Sequence, residues 1–358
     1  MNVRSLRRIT GHGAIIAVVL SVAMLAGCAA DPEPEKTERA RPSPSPSPSA
    51  TAPRETPPPT DTAPLRGLIV PEGTLDHASI AAKIDNHPLA RPQIALDRTD
   101  LVFEELVEGG MTRYVAVWHS DIPDVMGPVR SIRPMDPDII SPLGGIVAYS
   151  GGQERFVALM RQTPVYNAIH GQPDTQATFY RSDAKRAPHN VHVKANELLA
   201  EHADLAAPRQ QFGFAADIPS STAVRIGALT AAVNYRFSDY SFGTWTWDAT
   251  AAAFLRSQRS AADVDANGAQ LRATNVVVLR VPITEDFDIP KTEMIGSGEA
   301  WVSSGGATVH GTWTKKSATG TIALIADSGV AIKLAPGNSW IELIPLAGSV
   351  EHPAPAAG

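Results

Sequence analysis

Two arginines lie three positions apart in the segment Gly-Pro-Val-Arg-Ser-Ile-Arg-Pro, which spans residues 127–134. Guanidinium groups are planar and permanently charged, and they bind carboxylate or phosphate through paired hydrogen bonds. Ser131 suits the N-cap of a helix that would have Pro134 in its first turn, and such a helix start attracts anions. Arg130 and Arg133 therefore predict a pocket for an anionic group.

Further basic and amide side chains occur in polar segments elsewhere in the first half of the chain, and we assign them to the same pocket. The predicted ligand-binding residues are Arg91, Arg113, Arg130, Arg133, Arg181, Arg186 and Asn190. A structural alternative stays open, in which Glu104, Glu105 and Glu108 neutralise the arginines in an ion network that only holds the fold. Teichoic-type phosphate, a nucleotide sugar, a phospholipid headgroup and a peptide carboxylate would all suit arginines.

A second hypothesis makes the site catalytic. His189 follows Pro188 in a polar segment and suits general acid–base chemistry, with Glu108 or Ser150 assisting in a wall-directed hydrolase or transferase. Ser150 stands between a predicted strand and helix, as nucleophilic serines do, but the G-x-S-x-G order is missing. His189 and His192 would lie on opposite faces of a strand, so they predict no metal pair. We expect no metal and no cofactor, and we rank binding above catalysis.

The elements that must hold these side chains are predicted to be short. Arg113–His119 alternates as a strand does, with Tyr114 and Trp118 on one face and Arg113 on the other. The other elements predicted in this half are a strand over Ile80–Asn86, a strand or a buried helical turn over Leu101–Val107, a strand over Gly144–Tyr149, and helices over Gln153–Arg161 and Glu197–His202. This mixture favours an N-terminal mixed α/β domain over residues 65–205.

Beyond a Pro-, Gln- and Ser-containing linker over residues 206–222, the pattern changes to short strands separated by Gly and Asn turns. The predicted strands are Val224–Ile226, Val233–Phe237, Thr244–Trp247, Ala253–Arg256, Asn275–Val281, Ala300–Val302, Thr308–Thr312, Ile322–Ile325 and Trp340–Ile344. The tryptophans in this half are interpreted as core or sheet-face aromatics, with sugar stacking as the alternative. The sequence thus predicts an α+β protein with a β-rich C-terminal domain over residues 223–347 and a disordered tail over 348–358.

Composition limits the class of protein. The chain has 358 residues, of which 43% are hydrophobic and 19% charged, so it can bury ordinary globular cores. The formal net charge is −6, and about −9 without residues 1–27, which hold three arginines and no acid. No basic tract compensates for this charge, so we exclude general nucleic-acid binding.

The N-terminus predicts export and lipidation. Arg4, Arg7 and Arg8 precede the apolar run Ala14–Leu25, which is followed by Ala-Gly-Cys at positions 26–28. This pattern is typical of a bacterial lipoprotein signal peptide over residues 1–27, with Cys28, the only cysteine, becoming the diacylated N-terminus. Residues 28–64 are rich in Pro and Ser and predict a disordered, extended tether. We therefore expect a protein held to the cell membrane through diacylglyceryl-Cys28 and facing the extracytoplasmic side.

Several motifs together resemble the YerB-like bacterial lipoproteins, a family without an established activity. The resemblance covers about residues 66–346, and its motifs include residues 90–93, 108–113, 127–134, 179–181, 186–190, 311–315 and 334–341. It implies a lipid-anchored extracytoplasmic protein with an α/β-type N-terminal domain and a β-rich C-terminal domain. It supplies no catalytic assignment, and His192 stands where relatives are expected to carry an aromatic residue.

We conclude from the sequence that the chain is a membrane-anchored lipoprotein that binds an anionic envelope ligand through an arginine-rich cleft in its N-terminal domain. The expected ligands are an anionic cell-wall polymer or a phospholipid headgroup. The alternatives are a wall-directed hydrolase or transferase that uses His189, and a structural partner of an envelope protein complex in which the arginines only hold the fold.

Overall fold

Strands dominate residues 58–356, the part of the chain that the computed structural model describes. The first ten strands are β1 (Thr60–Thr62), β2 (Ile69–Pro71), β3 (Ile80–Asp85), β4 (Leu101–Leu106), β5 (Thr112–Trp118), β6 (Val125–Met126), β7 (Ile146–Tyr149), β8 (Tyr166–Ile169), β9 (Phe179–Arg181) and β10 (Val191–Lys194). The helices are α1 (Asp136–Ile140), α2 (Glu154–Arg161), α3 (Ala195–Ala200) and α4 (Thr222–Ile226). Single 3₁₀ turns occupy Pro88–Ala90, Leu96–Arg98, Glu108–Gly110 and Pro173–Thr175.

The second half is built almost entirely from strands. They are β11 (Ala228–Leu229), β12 (Ala232–Arg236), β13 (Phe242–Asp248), β14 (Ala253–Gln258), β15 (Ala261–Ala262), β16 (Arg272–Ala273), β17 (Asn275–Val281), β18 (Ile283–Asp286), β19 (Ile289–Thr292), β20 (Gly296–Ser304), β21 (Ala307–Lys315), β22 (Ala323–Ala326), β23 (Ser339–Pro345) and β24 (Ser349–Glu351). The predicted β-rich C-terminal half is confirmed.

One large sheet runs through both halves of the chain. Its eleven strands include the path β11-β21-β20-β17-β23-β4-β5-β3-β7-β8, with β22 beside β21. Strand β23 lies parallel to β4, with Ser339 opposite Leu101, and parallel to β17 on its other side. A second sheet of six strands, β15-β14-β13-β12-β24 with β16 beside β14, comes from the second half.

The central strand β5 explains the layering. Its apolar residues alternate between two cores, with Tyr114 and Trp118 in one and Val115 and Val117 in the other, as the sequence predicted. The Val115 core is shared with residues of α1 and α2, and the Tyr114 core with residues of β12, β13 and β14. The large sheet is therefore buried on both faces around β3, β4 and β5, which keeps these strands nearly free of exposed side chains.

The expectation of a mixed α/β N-terminal domain is only partly met, because strands far outnumber helices among the regular elements of residues 65–205. The helices there span only 5, 8 and 6 residues. The ambiguous run at Leu101–Val107 is a buried strand, and periodicity alone does not separate the two choices in so short a run. For the same reason Val224–Ile226, predicted as a strand, belongs to helix α4. The helix predicted near Ser131 begins later, at Asp136, because residues 130–132 are extended and hydrogen-bonded to neighbouring backbone.

Three segments expected to be irregular carry regular contacts. The last residues of the expected tether include β1, which pairs with β2. Within the expected linker, Gln211 and Phe212 are buried and Phe214 bridges to Leu334. The expected disordered tail contains β24, which pairs with β12. The signal peptide and Cys28 lie outside the described residues. No helix within residues 58–356 has the length and apolar character that crossing a membrane requires.

Candidate functional site

Charged side chains meet where β3 and β4 end and β5 begins, on the face of the sheet that also packs α1. The segment after β6 runs beside them, since the Arg130 N–H donates to the Lys83 carbonyl over 2.7 Å and the Ser150 N–H donates to the Arg130 carbonyl over 3.0 Å. We call this group the arginine cluster, and its members are Lys83, Asp85, Glu105, Glu108, Arg113, Arg130, Arg133, Asp136 and His189. It contains three of the predicted ligand-binding arginines.

Arg133 is held by Glu108. Its Nε donates to Oε2 over 2.8 Å and its Nη2 to Oε1 over 2.6 Å, the two-pronged geometry that arginine forms with carboxylates. Its Nη1 donates to the Ile132 carbonyl over 2.9 Å. Burial alone would raise the pKa of Glu108, but the hydrogen bonds from Arg133 outweigh it, so that pKa lies below its ordinary value. This pair matches the structural alternative for Arg133.

Lys83 forms ion pairs with two carboxylates. Its fully buried Nζ contacts Glu105 and donates to Asp136 Oδ1 over 2.8 Å. The other Asp136 oxygen accepts the Arg133 backbone N–H over 2.6 Å. Burial lowers the pKa of Lys83 to about 8, against the attraction of Asp136. The position of Asp136 at the start of α1 thus orients both a cation and the arginine-bearing loop.

Arg113 has no carboxylate within 4.0 Å among the described residues. Its strand neighbours are acidic, because Asp85 and Glu105 stand opposite it on β3 and β4, yet both make their ion pairs elsewhere. Its Nη1 donates to the Ser131 carbonyl over 2.8 Å, and only 7% of the residue is exposed. Burial, then repulsion by Arg133 and Arg130, lowers the pKa of Arg113 to about 10. Arg113 therefore carries a buried charge without a counterion at neutral pH.

Arg130 is only loosely paired. Its Nε lies 3.1 Å from Asp85 Oδ2, but the N–H is not aligned with that oxygen, and this buried donor has no hydrogen-bond partner within residues 58–356. Asp85 is engaged by stronger contacts. Its Oδ2 lies 2.6 Å from His189 Nδ1, and its Oδ1 accepts the His87 backbone N–H over 3.0 Å. Arg130 thus has one loosely held ion pair and a buried Nε without an aligned hydrogen bond.

Two imidazoles stand side by side at the rim. The rings of His87 and His189 are stacked, with centroids 4.4 Å apart and planes inclined by 17°. His87 Nδ1 accepts the Leu89 backbone N–H over 3.1 Å. Burial, and then His189, lowers the pKa of His87. No hydrogen bond joins His189 to Ser150 or Glu108 in the part of the chain that the structure describes, so the residues of the catalytic hypothesis do not form a nucleophile–base pair there.

The remaining predicted residues do not join the arginine cluster. Arg91 donates from Nε and Nη2 to the side chain and backbone of Asn86, over 2.9 Å each. Arg181 is exposed and donates to Asn190 Oδ1 over 2.8 Å, and Asn190 in turn donates to a backbone carbonyl. Arg186 is exposed, and its carbonyl accepts the His189 N–H over 3.0 Å. No hydrogen bond or ion pair joins the side chains of Arg91, Arg181, Arg186 or Asn190 to the arginine cluster in the described residues, and their assignment to the ligand site stays a prediction.

His192 is buried and packs as an aromatic ring without polar partners. Neither of its nitrogens has a hydrogen-bond partner in the described residues, and burial lowers its pKa to about 4. The residues that sequence reasoning missed are Lys83, Asp85, Asp136 and His87. A signal was present, because Lys83 and Asp85 alternate within a strand that is otherwise apolar, and charges buried in a strand seek partners.

A second polar group lies on the opposite face of the same strands. We call it the Arg256 cluster, and its members are Glu104, Tyr114, Trp245, Arg256, Asp263, Trp340 and Glu342. Arg256 is fully buried and forms ion pairs with Glu104 and Asp263. Its guanidinium lies 4.7 Å from the ring centre of Trp340 and 5.5 Å from that of Tyr114. Arg256 is thus enclosed by carboxylates and aromatic rings.

Glu342 completes the Arg256 cluster. It stands opposite Glu104 across the parallel strands β23 and β4, and its Oε1 accepts the Trp245 Nε1–H over 2.7 Å. Burial, and then repulsion by Glu104, raises the pKa of Glu342 well above its ordinary value. Two adjacent buried carboxyl groups with one nearby arginine favour a single negative charge between them.

Two family models match the sequence that forms these sheets. Residues 65–208 match "Protein of unknown function (DUF3048) N-terminal domain" and residues 232–341 match "Protein of unknown function (DUF3048) C-terminal domain". The chain belongs to the family that these two domains define.

A member of known sequence is "Putative lipoprotein YerB" of Bacillus subtilis (strain 168). It is 23% identical over 304 residues, which cover 79% of this chain and 86% of the relative. The crystal structure of the YerB protein from Bacillus subtilis is similar in fold, with a TM-score of 0.70 and 21% identity over 81% of this chain and 99% of the other.

Proposed function

We propose that the chain is a membrane-tethered extracytoplasmic lipoprotein that binds an anionic envelope ligand through the arginine cluster. The observation that carries this proposal is Arg113, a buried cation that lacks a carboxylate partner. An uncompensated buried charge is costly, and an anionic ligand would supply the missing partner. Arg130, with an unpaired buried Nε, would be the second contact.

The distribution of charge supports binding over a purely structural network. Four cations and four carboxylates are present besides His189, so the arginine cluster could pair completely if it served only the fold. Instead Lys83 takes two carboxylates, Asp85 is drawn toward His189, and Arg113 is left without one. Arg130 is partly exposed, and its charge is close enough to Arg113 to lower the pKa of that residue.

The membrane tether is proposed from the N-terminal sequence and from the name of the Bacillus subtilis relative. Metabolic labelling with a palmitate analogue tests it. Wild-type protein should incorporate the label, and Cys28→Ala should not. Equal labelling of both would remove Cys28 from the proposal.

Anion binding is tested by thermal unfolding in phosphate and sulfate. Wild-type protein should melt higher in millimolar phosphate, because a ligand that binds only the folded state stabilises it by about 2.7 kcal/mol at a hundred times its Kd. The double variant Arg113→Met, Arg130→Met should lose this response. It should melt close to wild type or higher without phosphate, since it removes charges that repel each other.

The opposite result would assign the arginine cluster to the fold. In that case no anion would shift the wild-type melting temperature, and the double variant would unfold at much lower temperature. Arg256→Met serves as the control, because it removes a fully buried arginine that has carboxylate partners. It should melt low while the response to phosphate survives in the folded fraction.

A further inference from the structure

The hydrogen bonds around Asp85 determine which nitrogen of His189 carries a proton. An ionised carboxylate only accepts hydrogen bonds, so His189 Nδ1, at 2.6 Å from Asp85 Oδ2, must be the donor. The neutral ring then has its lone pair on Nε2. This nitrogen makes no hydrogen bond within the described residues and is not among the buried atoms that lack a partner. His189 therefore offers an acceptor to whatever occupies the site.

His87 has the complementary arrangement. Its Nδ1 accepts a backbone N–H from Leu89, so the proton of the neutral ring is on Nε2. The ring lies parallel to that of His189 at 4.4 Å. The rim of the arginine cluster thus presents one donor and one acceptor side by side, next to the guanidiniums.

The acceptor lies within reach of an anion on the arginines. Arg130 Nε and His189 Nδ1 approach the same oxygen, Asp85 Oδ2, at 3.1 Å and 2.6 Å. Two groups on one oxygen are neighbours, and Nε2 lies on the same small ring as Nδ1. Because Nδ1 and Nε2 face different sides of the ring, a ligand with anionic oxygens on Arg130 and Arg113 reaches His189 Nε2 only if a carbon chain carries its donor past the edge of the ring.

We infer that the ligand is a hydroxylated phosphate ester, with phosphate oxygens on Arg113 and Arg130 and a hydroxyl group that donates to His189 Nε2. This inference rests on the proposed function and specifies its ligand. The oxygens of a phosphate are arranged tetrahedrally and can face two arginines from different directions, whereas the two oxygens of a carboxylate lie in one plane. A phosphate without a hydroxyl group would leave the His189 acceptor unsatisfied, which weakens binding.

The test compares two phosphates of similar size on the purified full-length protein. At pH 8, where imidazole side chains are ordinarily neutral, calorimetry should give tighter binding of glycerol phosphate than of propyl phosphate, by on the order of tenfold. The variant His189→Phe keeps an aromatic ring against His87 but has no acceptor, so the ratio of the two Kd values should fall to about one. Glycerate, with hydroxyl groups and a carboxylate, should bind more weakly than glycerol phosphate.

A second variant tests the same acceptor independently, in case the first variant does not fold. Asp85→Asn can donate to Nδ1, which would move the ring proton to Nε2 and remove the acceptor while keeping the side-chain shape. It should also lose the preference for glycerol phosphate, and circular dichroism checks that both variants are folded. Arg181→Ala, outside the arginine cluster, should keep the preference.

Two results would overturn the inference. Equal binding of both phosphates to wild type, or tighter binding of glycerate, removes the hydroxylated phosphate and leaves anion binding intact. Failure of both phosphates to bind removes the proposed function and the inference together. Glycerophosphoglycerol distinguishes the two sources from which the ligand could come. A lipid headgroup or a polymer presents a phosphodiester, whereas a free metabolite presents a phosphate monoester. Preference for the diester or for the monoester would support the inference and identify which source applies.

Discussion

Adjacent residues of β4 belong to different polar clusters, and the two clusters show opposite ways of burying arginine. Glu104 points to the Arg256 cluster and Glu105 to the arginine cluster, because successive side chains of a strand face opposite sides. On one face a single arginine has two carboxylates and several aromatic rings. On the other, three arginines lie near carboxylates that are mostly committed elsewhere.

The difference between the clusters separates a structural charge from a binding charge. Arg256 joins the two sheets, since its partners come from β4 and from the segment after β15, and it is fully enclosed. Arg130 is half-buried, and Arg113 is buried without a carboxylate partner. Under the proposed function, the fully paired Arg256 serves the fold, whereas Arg113 and Arg130 serve the ligand.

The largest expected effect comes from Arg256→Met. It leaves Glu104 and Asp263 buried without a cation, so the free energy of unfolding should fall by about 3–5 kcal/mol. Urea denaturation of this variant and of Arg113→Met measures the contrast, because Arg113→Met should stay near wild type. Similar losses in both variants would mean that the two clusters do not differ in the way described.

Glu342→Gln should act more weakly and in the stabilising direction. Burial and Glu104 raise the pKa of Glu342, so its contribution to stability is complete below the ordinary glutamate pKa and is lost as the pH rises toward the raised value. Glutamine keeps an acceptor for Trp245 and does not ionise. The variant should gain about 1 kcal/mol over wild type at pH 8 and little at pH 4.5, as measured by urea denaturation at both. A loss at pH 8 would contradict a protonated Glu342.

Glu108→Gln tests the partly exposed ion pair of the arginine cluster. Glu108 is about 35% exposed, so its pair with Arg133 should contribute at most about 1 kcal/mol at pH 7. Because the pKa of Glu108 is lowered, this contribution is present above the ordinary glutamate pKa and disappears as the pH falls through the folded-state value. Melting temperatures of variant and wild type should therefore converge below pH 4. A difference in melting temperature that persists below pH 4 would indicate that Glu108 contributes to stability through packing and not through its charge.

Arg181→Ala should have the smallest effect. Arg181 is exposed and donates to Asn190, away from the other arginines, so unfolding should change by less than about 0.5 kcal/mol. The thermal response to phosphate should be unchanged. A lost response would return Arg181 to the ligand site from which its position separates it.

The local sequence pattern was sufficient to predict those parts of the candidate site whose geometry depends on residues close together in the chain. The alternation of β5 predicted the face of Arg113, and the short spacing of Arg130 and Arg133 placed them together. Charge type also made Glu108 a plausible partner for the arginines, and it pairs with Arg133. These features depend on a few consecutive residues, whose geometry a strand or turn fixes.

The rest depends on contacts between distant segments. Glu104 and Glu105 were treated alike, because only the packing of the second sheet decides which glutamate meets Arg256, 152 positions away. The partner of His189 is Asp85, 104 positions earlier, and nothing in the polar loop around His189 specifies it. From the sequence alone, Arg186 was predicted as a ligand-binding residue in the same way as Arg130. The direction of a side chain in a loop, however, depends on the fold around it.

The parallel pairing of β23 with β4 has a consequence for how the chain reaches this fold. Ser339 lies beside Leu101, so the middle of the large sheet closes only when two segments more than two hundred residues apart have met. Such closure loses chain entropy and belongs to the slow class of folding topologies. Until residues 339–345 arrive, β4 is an open edge that invites pairing with other chains. A nascent chain that ends before β23 therefore lacks Trp340 and Glu342 and cannot complete the Arg256 cluster, although every member of the arginine cluster has already been synthesised.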